Sequence, residues 1–225
     1  LSVVNAFSVR EVWNSGLDRT LPGYGEFQRP IYDRGIPLRT VSAGDRAQIG
    51  KARLEVLHPR PSFQQRTKKP YAAENDRSLV IRMKTQGMTL LFPGDIHGSG
   101  EAFLLRNVPD LFSDLVKVPH HGSNTSSISA FIAAVRPTLA VIDVGDGNLY
   151  RHPSEDVIER YYRAGTRVVR TDRHGAVIVR VTTKGRVVLL WSELILRRIA
   201  PAEWSGWWTI ERQNWKRIAL RTTEI

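Results

Sequence analysis

From about Ala47 onward, short apolar runs of strand length alternate with longer amphipathic stretches, and most runs stop at a glycine or a proline. Apolar runs of four to eight residues bounded by turn formers predict strands, and apolar positions recurring every three to four residues predict helices. Ala52–Leu57 therefore reads as a strand, and Ser78–Met83 and Thr89–Phe92 as a hairpin closed at Thr85-Gln86-Gly87. Leu115–Val118, Leu139–Asp143, Arg167–Arg170, Gly175–Val181 and Val187–Trp191 follow as further strands. Helices are predicted over Gly98–Arg106, Ser127–Val135 and Pro153–Ala164. The last takes Ser154 as its N-cap, with Glu155 and Asp156 in the first turn where the helix dipole favours carboxylates. The front of the chain is looser: strand-like Leu1–Val4 and Val9–Trp13, turns at Asn14–Gly16 and Pro22–Gly25, a helix at Tyr24–Asp33 and a strand at Leu38–Val41. Pro59–Tyr71 reads as an exposed basic loop. This alternation, with hairpins mixed in and no internal repeat, predicts an α/β (α+β layered) domain on a mixed sheet.

A chain of 225 residues can bury one substantial core. We expect one domain over 1–196 and a basic, Trp-rich extension over 197–225. In that extension Trp204, Trp207, Trp208 and Trp215 are interleaved with Arg197, Arg198, Arg212, Lys216, Arg217 and Arg221. Such a segment can stack on bases and neutralise phosphates, or lie at a membrane interface. Packing of a terminal helix onto the domain is the preferred reading of the tryptophans.

Lysine and arginine outnumber aspartate and glutamate 33 to 22, a formal charge of +11, which favours a polyanionic partner: nucleic acid or an anionic membrane surface. No apolar run approaches the roughly 18 residues of a membrane span. The absence of cysteine excludes a disulfide framework and thiolate metal ligands. The chain opens without Met in mid-pattern, as expected of a cut in a longer polypeptide.

Two strand ends carry candidate chemistry. Leu90-Leu91-Phe92-Pro93-Gly94 delivers Asp95, and Val116-Lys117-Val118-Pro119 delivers His120 and His121. Carboxylate oxygen and neutral imidazole suit Zn²⁺ or Mn²⁺ when no thiolate is present. Both groups sit where active sites of α/β sheets gather, so together they read as half of a divalent-metal site. Ser123, Asn124, Thr125 and Ser126 follow the histidines and open the predicted helix at Ser127. Their N–H groups and hydroxyls could hold a phosphate, or Ser126 could serve as an ordinary cap. Asp172 orients a histidine from behind or simply forms a turn before Gly175. His58 reads as structural, and His97 and His174 are left unassigned.

Five ordered blocks add a resemblance. Glu74-Asn75-Asp76-Arg77-Ser78-Leu79-Val80, Leu91-Phe92-Pro93-Gly94-Asp95 and Lys117-Val118-Pro119-His120-His121-Gly122-Ser123-Asn124-Thr125-Ser126 are followed by Asn148-Leu149-Tyr150-Arg151-His152-Pro153 and Arg170-Thr171-Asp172-Arg173-His174-Gly175-Ala176-Val177. Over about Ala47 to Val181 this resembles the metallo-β-lactamase-fold domain of ComEC-type competence proteins, which take up DNA. The resemblance implies an αββα sandwich, incomplete here at the N-terminal side, with one or two divalent ions at one edge. It implies hydrolysis of DNA phosphodiesters of the strand that is not transported. It also implies partnership with a membrane-channel portion of the same parent protein, which would tether the domain on the outer side of the cytoplasmic membrane.

Carried over by position, Asp95 and His120 would ligate metal, His121 would be an alternative or supporting ligand, and His152 would contact substrate or leaving group. The fold's His-x-His-x-Asp-His loop does not occur in the chain, and Asn75 stands where many relatives carry a histidine ligand. Asp95 and His120 alone cannot fill a tetrahedral shell, so this portion is expected to be inactive by itself. Two other classes stay open: a non-catalytic nucleic-acid-binding module, and another phosphodiesterase or esterase of the same fold.

Overall fold

The computed structural model describes residues 2–16, 23–60, 75–182, 185–190 and 209–210. The predicted basic loop beyond Arg60, and the Trp-rich extension apart from 209–210, lie outside the described residues.

The seven strands β3 (Arg46–Ile49), β4 (Ala52–His58), β5 (Val80–Thr85), β6 (Met88–Phe92), β7 (Leu115–Lys117), β8 (Leu139–Ile142) and β9 (Arg167–Arg170) pair in sequence order into one mixed sheet. The first four are antiparallel and the last four parallel. The β5–β6 hairpin closes through Gln86 and Gly87, at φ 45° and 76°. Two successive left-handed residues are what a tight two-residue hairpin needs to match strand twist. Each parallel connection carries a helix: α3 (Gly98–Asn107), α4 (Ser129–Val135) and α5 (Glu155–Arg163). A second sheet, β10 (Val177–Thr182), β11 (Gly185–Leu190) and β12 (Thr209–Ile210), follows the short helix α6 (Thr171–His174). At the front, α1 (Ser2–Ala6), α2 (Tyr24–Asp33) and the parallel pair β1 (Val12–Asn14) and β2 (Leu38–Thr40) stand apart from the seven-stranded sheet.

Side-chain alternation sorts the core onto two faces of the large sheet. Leu91, Val116 and Ala140 pack against Leu104, Phe131 and Tyr161 of the helices. Their immediate neighbours Leu90, Leu115 and Leu139 face the other way, against Val177 and Val179 of β10. The chain is thus a layered α+β sandwich: helices, a mixed sheet, and a second sheet. No helix among the described residues is long and apolar enough to cross a membrane.

Three local expectations are corrected. Leu1–Val4 does not form a strand, since Ser2–Ala6 is helical. Helix α4 starts at Ser129 because Ser127 takes a left-handed φ of 59° and Ile128 is extended, so Ser126 does not cap it. Ser154 occupies the N-cap position of α5 but makes no side-chain capping bond.

Candidate functional site

The parallel strands β6, β7 and β8 end at one edge, and the three loops that leave them carry Asp95, the His120–His121 pair and Asp143. In a parallel sheet the carboxyl ends of the strands are where ligands bind. How these loops are held explains why the side chains meet.

The 75–78 segment braces the first loop. The Asp76 carboxylate, 6% exposed, accepts the N–H groups of His97 (2.8 Å) and Gly100 (3.2 Å) and the Ser99 hydroxyl. It therefore caps α3 from outside the helix, a place where negative charge is favoured. Ser78 Oγ accepts the Asp95 N–H at 3.1 Å. Gly94 makes the close approach possible: its φ is +62°, and a Cβ there would sit 2.6 Å from Ser78 Cβ. Beneath it, fully buried His58 donates Nε2–H to the Asp76 carbonyl at 2.6 Å and packs edge-on against Phe103. Burial holds the His58 pKa below its ordinary value, in keeping with a structural, neutral imidazole.

The second loop is a strained turn. His120 and His121 both have positive φ, 48° and 54°, before Gly122 at +81°. Non-glycine residues adopt this region only when their surroundings fix it. Here the His120 N–H donates to the Gly94 carbonyl at 3.1 Å, and Gly122 lies so near the third loop that a Cβ would meet Pro153 Cβ at 2.5 Å. The Ser154 N–H closes the junction on the Gly122 carbonyl.

The two histidines face different neighbours. The His120 ring stacks on His97, centroids 4.9 Å apart, and meets the edge of His152 at 5.7 Å, while His152 stacks on exposed Tyr150 at 5.8 Å. Burial is the main cause that lowers the His120 pKa; Asp95 opposes it and the surrounding imidazoles add to it. His152 is lowered by burial and then by His121. Both rings are therefore neutral at pH 7, each with a lone pair. His97 Nε2 in turn receives the Asn75 amide at 3.1 Å, so Asn75 supports a histidine.

His121 donates Nδ1–H to the Asp143 carbonyl at 2.7 Å, which turns Nε2 toward Asp95 Oδ1, 3.7 Å away. That arrangement, one ring nitrogen anchored on a carbonyl and the other free, is the one in which proteins hold metal-binding imidazoles. Two ligands of a tetrahedral ion at about 2.1 Å stand roughly 3.4 Å apart, so Asp95 and His121 match two positions of one shell. They do not complete it. Among the described residues no group of three or more His, Cys, Asp or Glu side chains is placed to hold an ion. A cation of the chain's own stands beside the pair: Lys117 Nζ is 3.6 Å from Asp95 Oδ1 and 3.1 Å from Asp143 Oδ1.

Two sets of candidate residues make internal contacts. Ser123 and Ser126 are buried, and Ser126 Oγ donates to the carbonyls of Pro119 and Ser123. The N–H groups of Ser127 and Ile128 donate to the Glu101 carboxylate at 2.5 and 2.7 Å. An internal carboxylate thus occupies the place expected for a phosphate, leaving Asn124 and Thr125 exposed, with Thr125 Oγ1 3.4 Å from His120 Nδ1. Asp172 clamps the Arg170 guanidinium at 3.0 and 2.5 Å, and that pairing lowers its own pKa. His97, Lys117, Asp143 and Tyr150 were not singled out from the sequence. His97 was signalled by its position two residues after Asp95, and Asp143 by ending an apolar run as Asp95 follows one.

No protein-family model matches the chain. It is 34% identical over 145 residues to ComE operon protein 3 of Bacillus subtilis, covering 64% of this chain and 18% of that protein. It is 40% identical over 105 residues to Competence protein ComA of Neisseria gonorrhoeae (46% and 15%), and 33% over 107 residues to Recombination protein 2 of Haemophilus influenzae (48% and 13%). The chain spans less than a fifth of the length of any of these relatives. Over the matched residues it is related to a segment of ComEC-type competence proteins.

Proposed function

We propose that the chain is the hydrolase portion of a membrane-associated DNA-uptake protein, and that it cleaves phosphodiesters of the strand that is not transported. The observation that carries this reading is the approach of Asp95 and His121 to 3.7 Å, with His121 anchored so that its Nε2 faces the carboxylate. A metallo-β-lactamase-like site would use that pair to hold Mn²⁺ or Zn²⁺, with further ligands from outside the described residues. When bound, such an ion supplies a water acidic enough to be ionised near neutral pH.

The chain's other residues have separable parts. His120 and His152, both neutral, face a substrate approaching the strand ends and can hydrogen-bond a phosphate oxygen through an N–H or take up the proton released by the attacking water on a ring lone pair. His97 buttresses the His120 ring, and Lys117 holds Asp95 and Asp143 together. In the intact parent, Asp95→Ala is expected to abolish divalent-ion-dependent cleavage of a DNA strand; undiminished cleavage would sink the assignment.

A second reading, a nucleic-acid-binding module without catalysis, is favoured by the +11 charge and by the incomplete ligand set. It requires oligonucleotide binding that is steeply salt-dependent and indifferent to Asp95→Ala and His121→Ala, with no ion uptake by the intact parent.

A further inference from the structure

The antiparallel half of the sheet carries two transverse rows of polar side chains on its helix-side face. Register places Arg46, Glu55 and Arg82 opposite one another on β3, β4 and β5, and Gln48, Arg53 and Lys84 beside them. Residues opposite across a ladder, and residues two apart along a strand, share a face, so all six project together. The face is fixed by Arg82, which stands opposite core residue Leu91 and donates to the Asp110 carbonyl just beyond α3. The six line a cleft of about 560 Å³.

The rows differ in charge balance. In the first, Glu55 pairs with Arg82 at 2.7 Å and Arg46 at 3.2 Å; the Arg82 bond is the main cause holding its carboxyl below the ordinary range. The second row has no carboxylate. Gln48 gives its amide to the Gly50 carbonyl, while Arg53 and Lys84, both exposed and directly opposite, form no ion pair among the described residues. Like charges in that position weaken a ladder, and an anion bridging them relieves the repulsion. Lys84 lies opposite Thr89 near the start of β6, whereas Asp95 follows the end of that strand. At about 3.3 Å per residue the cleft is roughly 20 Å from the Asp95 loop, a span of about six nucleotides.

We propose that the Arg53–Lys84 row docks the phosphodiester backbone of a nucleic-acid strand, apart from the strand-end site. The +11 charge and the two uncompensated cations in a concave surface favour a polyanion that lies along the sheet. Its choice of nucleic acid rests on the reading in the preceding section.

The test is binding of a labelled single strand of roughly 20 nucleotides to the 225-residue chain across a salt series. Arg53→Gln/Lys84→Gln should lower the slope of log K against log salt by about 1.4, two contacts' worth on a single strand. Arg10→Gln/Arg163→Gln makes the same charge change elsewhere and should lower it by less than half as much. The exchange variant Arg53→Lys/Lys84→Arg keeps both charges and should keep the slope. A slope unchanged beside normal wild-type binding overturns the docking row and leaves the functional reading standing. Wild-type failure to bind any oligonucleotide overturns both. Sedimentation with phosphatidylserine vesicles that depends on the row, while oligonucleotide binding does not, overturns it in favour of a membrane surface.

Discussion

Lys117 holds its ammonium 3.1 Å from Asp143 Oδ1 and 3.6 Å from Asp95 Oδ1, so the two carboxylates at the strand ends already share a cation. The three side chains are partly exposed, which screens the attraction. Removing the ammonium with Lys117→Met should nevertheless leave Asp95 and Asp143 undercompensated and raise affinity for Mn²⁺ by roughly tenfold, about 1.4 kcal/mol. Calorimetric titration of both forms with Mn²⁺ reads this directly. Equal or weaker uptake by the variant would show that Lys117 does not compete for the site.

The junction between the His120–His121 turn and the His152 loop rests on one missing side chain. A Cβ on Gly122 would lie 2.5 Å from Pro153 Cβ at a φ of +81°. Gly122→Ala combines a left-handed penalty of about 1–2 kcal/mol with a clash against a rigid ring. It should lower stability by about 2–4 kcal/mol in urea unfolding. Gly50→Ala, whose φ is +57° with open space around it, should cost only the backbone part.

Much of this arrangement was legible in the sequence because it follows from strand and turn chemistry. The β5–β6 hairpin, α2, α3 and the parallel strands emerged from apolar runs and their glycine stops. Asp95 and the His120–His121 pair stood out for the same reason, since each sits just past such a run. What stayed hidden depends on contacts between distant segments. Nothing local shows that Glu101 would cap Ser127 and Ile128.

Glu101 gives the chain a pH dependence of known sign. It is fully buried, and burial pushes its pKa up to about 7, with the two N–H bonds and Arg160 acting in the opposite direction. Since the unfolded carboxyl titrates near 4.5, the folded chain keeps the proton longer. Its contribution to stability is therefore full below about pH 4.5 and is lost as pH rises through about 7. Across that window the loss amounts to a few kcal/mol at most. Urea midpoints at successive pH values should fall from pH 5 toward 7 in the wild type, as one contribution among those of other groups, and Glu101→Gln should remove that part of the slope. An identical pH profile for both would mean that Glu101 is already ionised at pH 5.

Asp76 makes the strongest prediction about how the site is built, because one carboxylate holds both a helix end and a histidine. It accepts the N–H groups of His97 and Gly100 and the Ser99 hydroxyl while 6% exposed. Asp76→Ala would leave the half-buried His97 N–H and the buried Gly100 N–H without their partner, at about 1–3 kcal/mol for the unsatisfied groups, and would remove the charge that favours the start of α3. We expect a total loss of about 3 kcal/mol. Asp76→Asn should cost less, since its amide oxygen still accepts while its NH₂ faces a donor. The loss should also be local: His97 should give up its stacking on His120, seen as a changed His120 ring environment by NMR in Asp76→Asn, with the His121 resonances held by Asp143 unmoved. If the His97 and His120 signals stay in place while stability falls, Asp76 supports α3 alone and the stacked pair is fixed by Asn75.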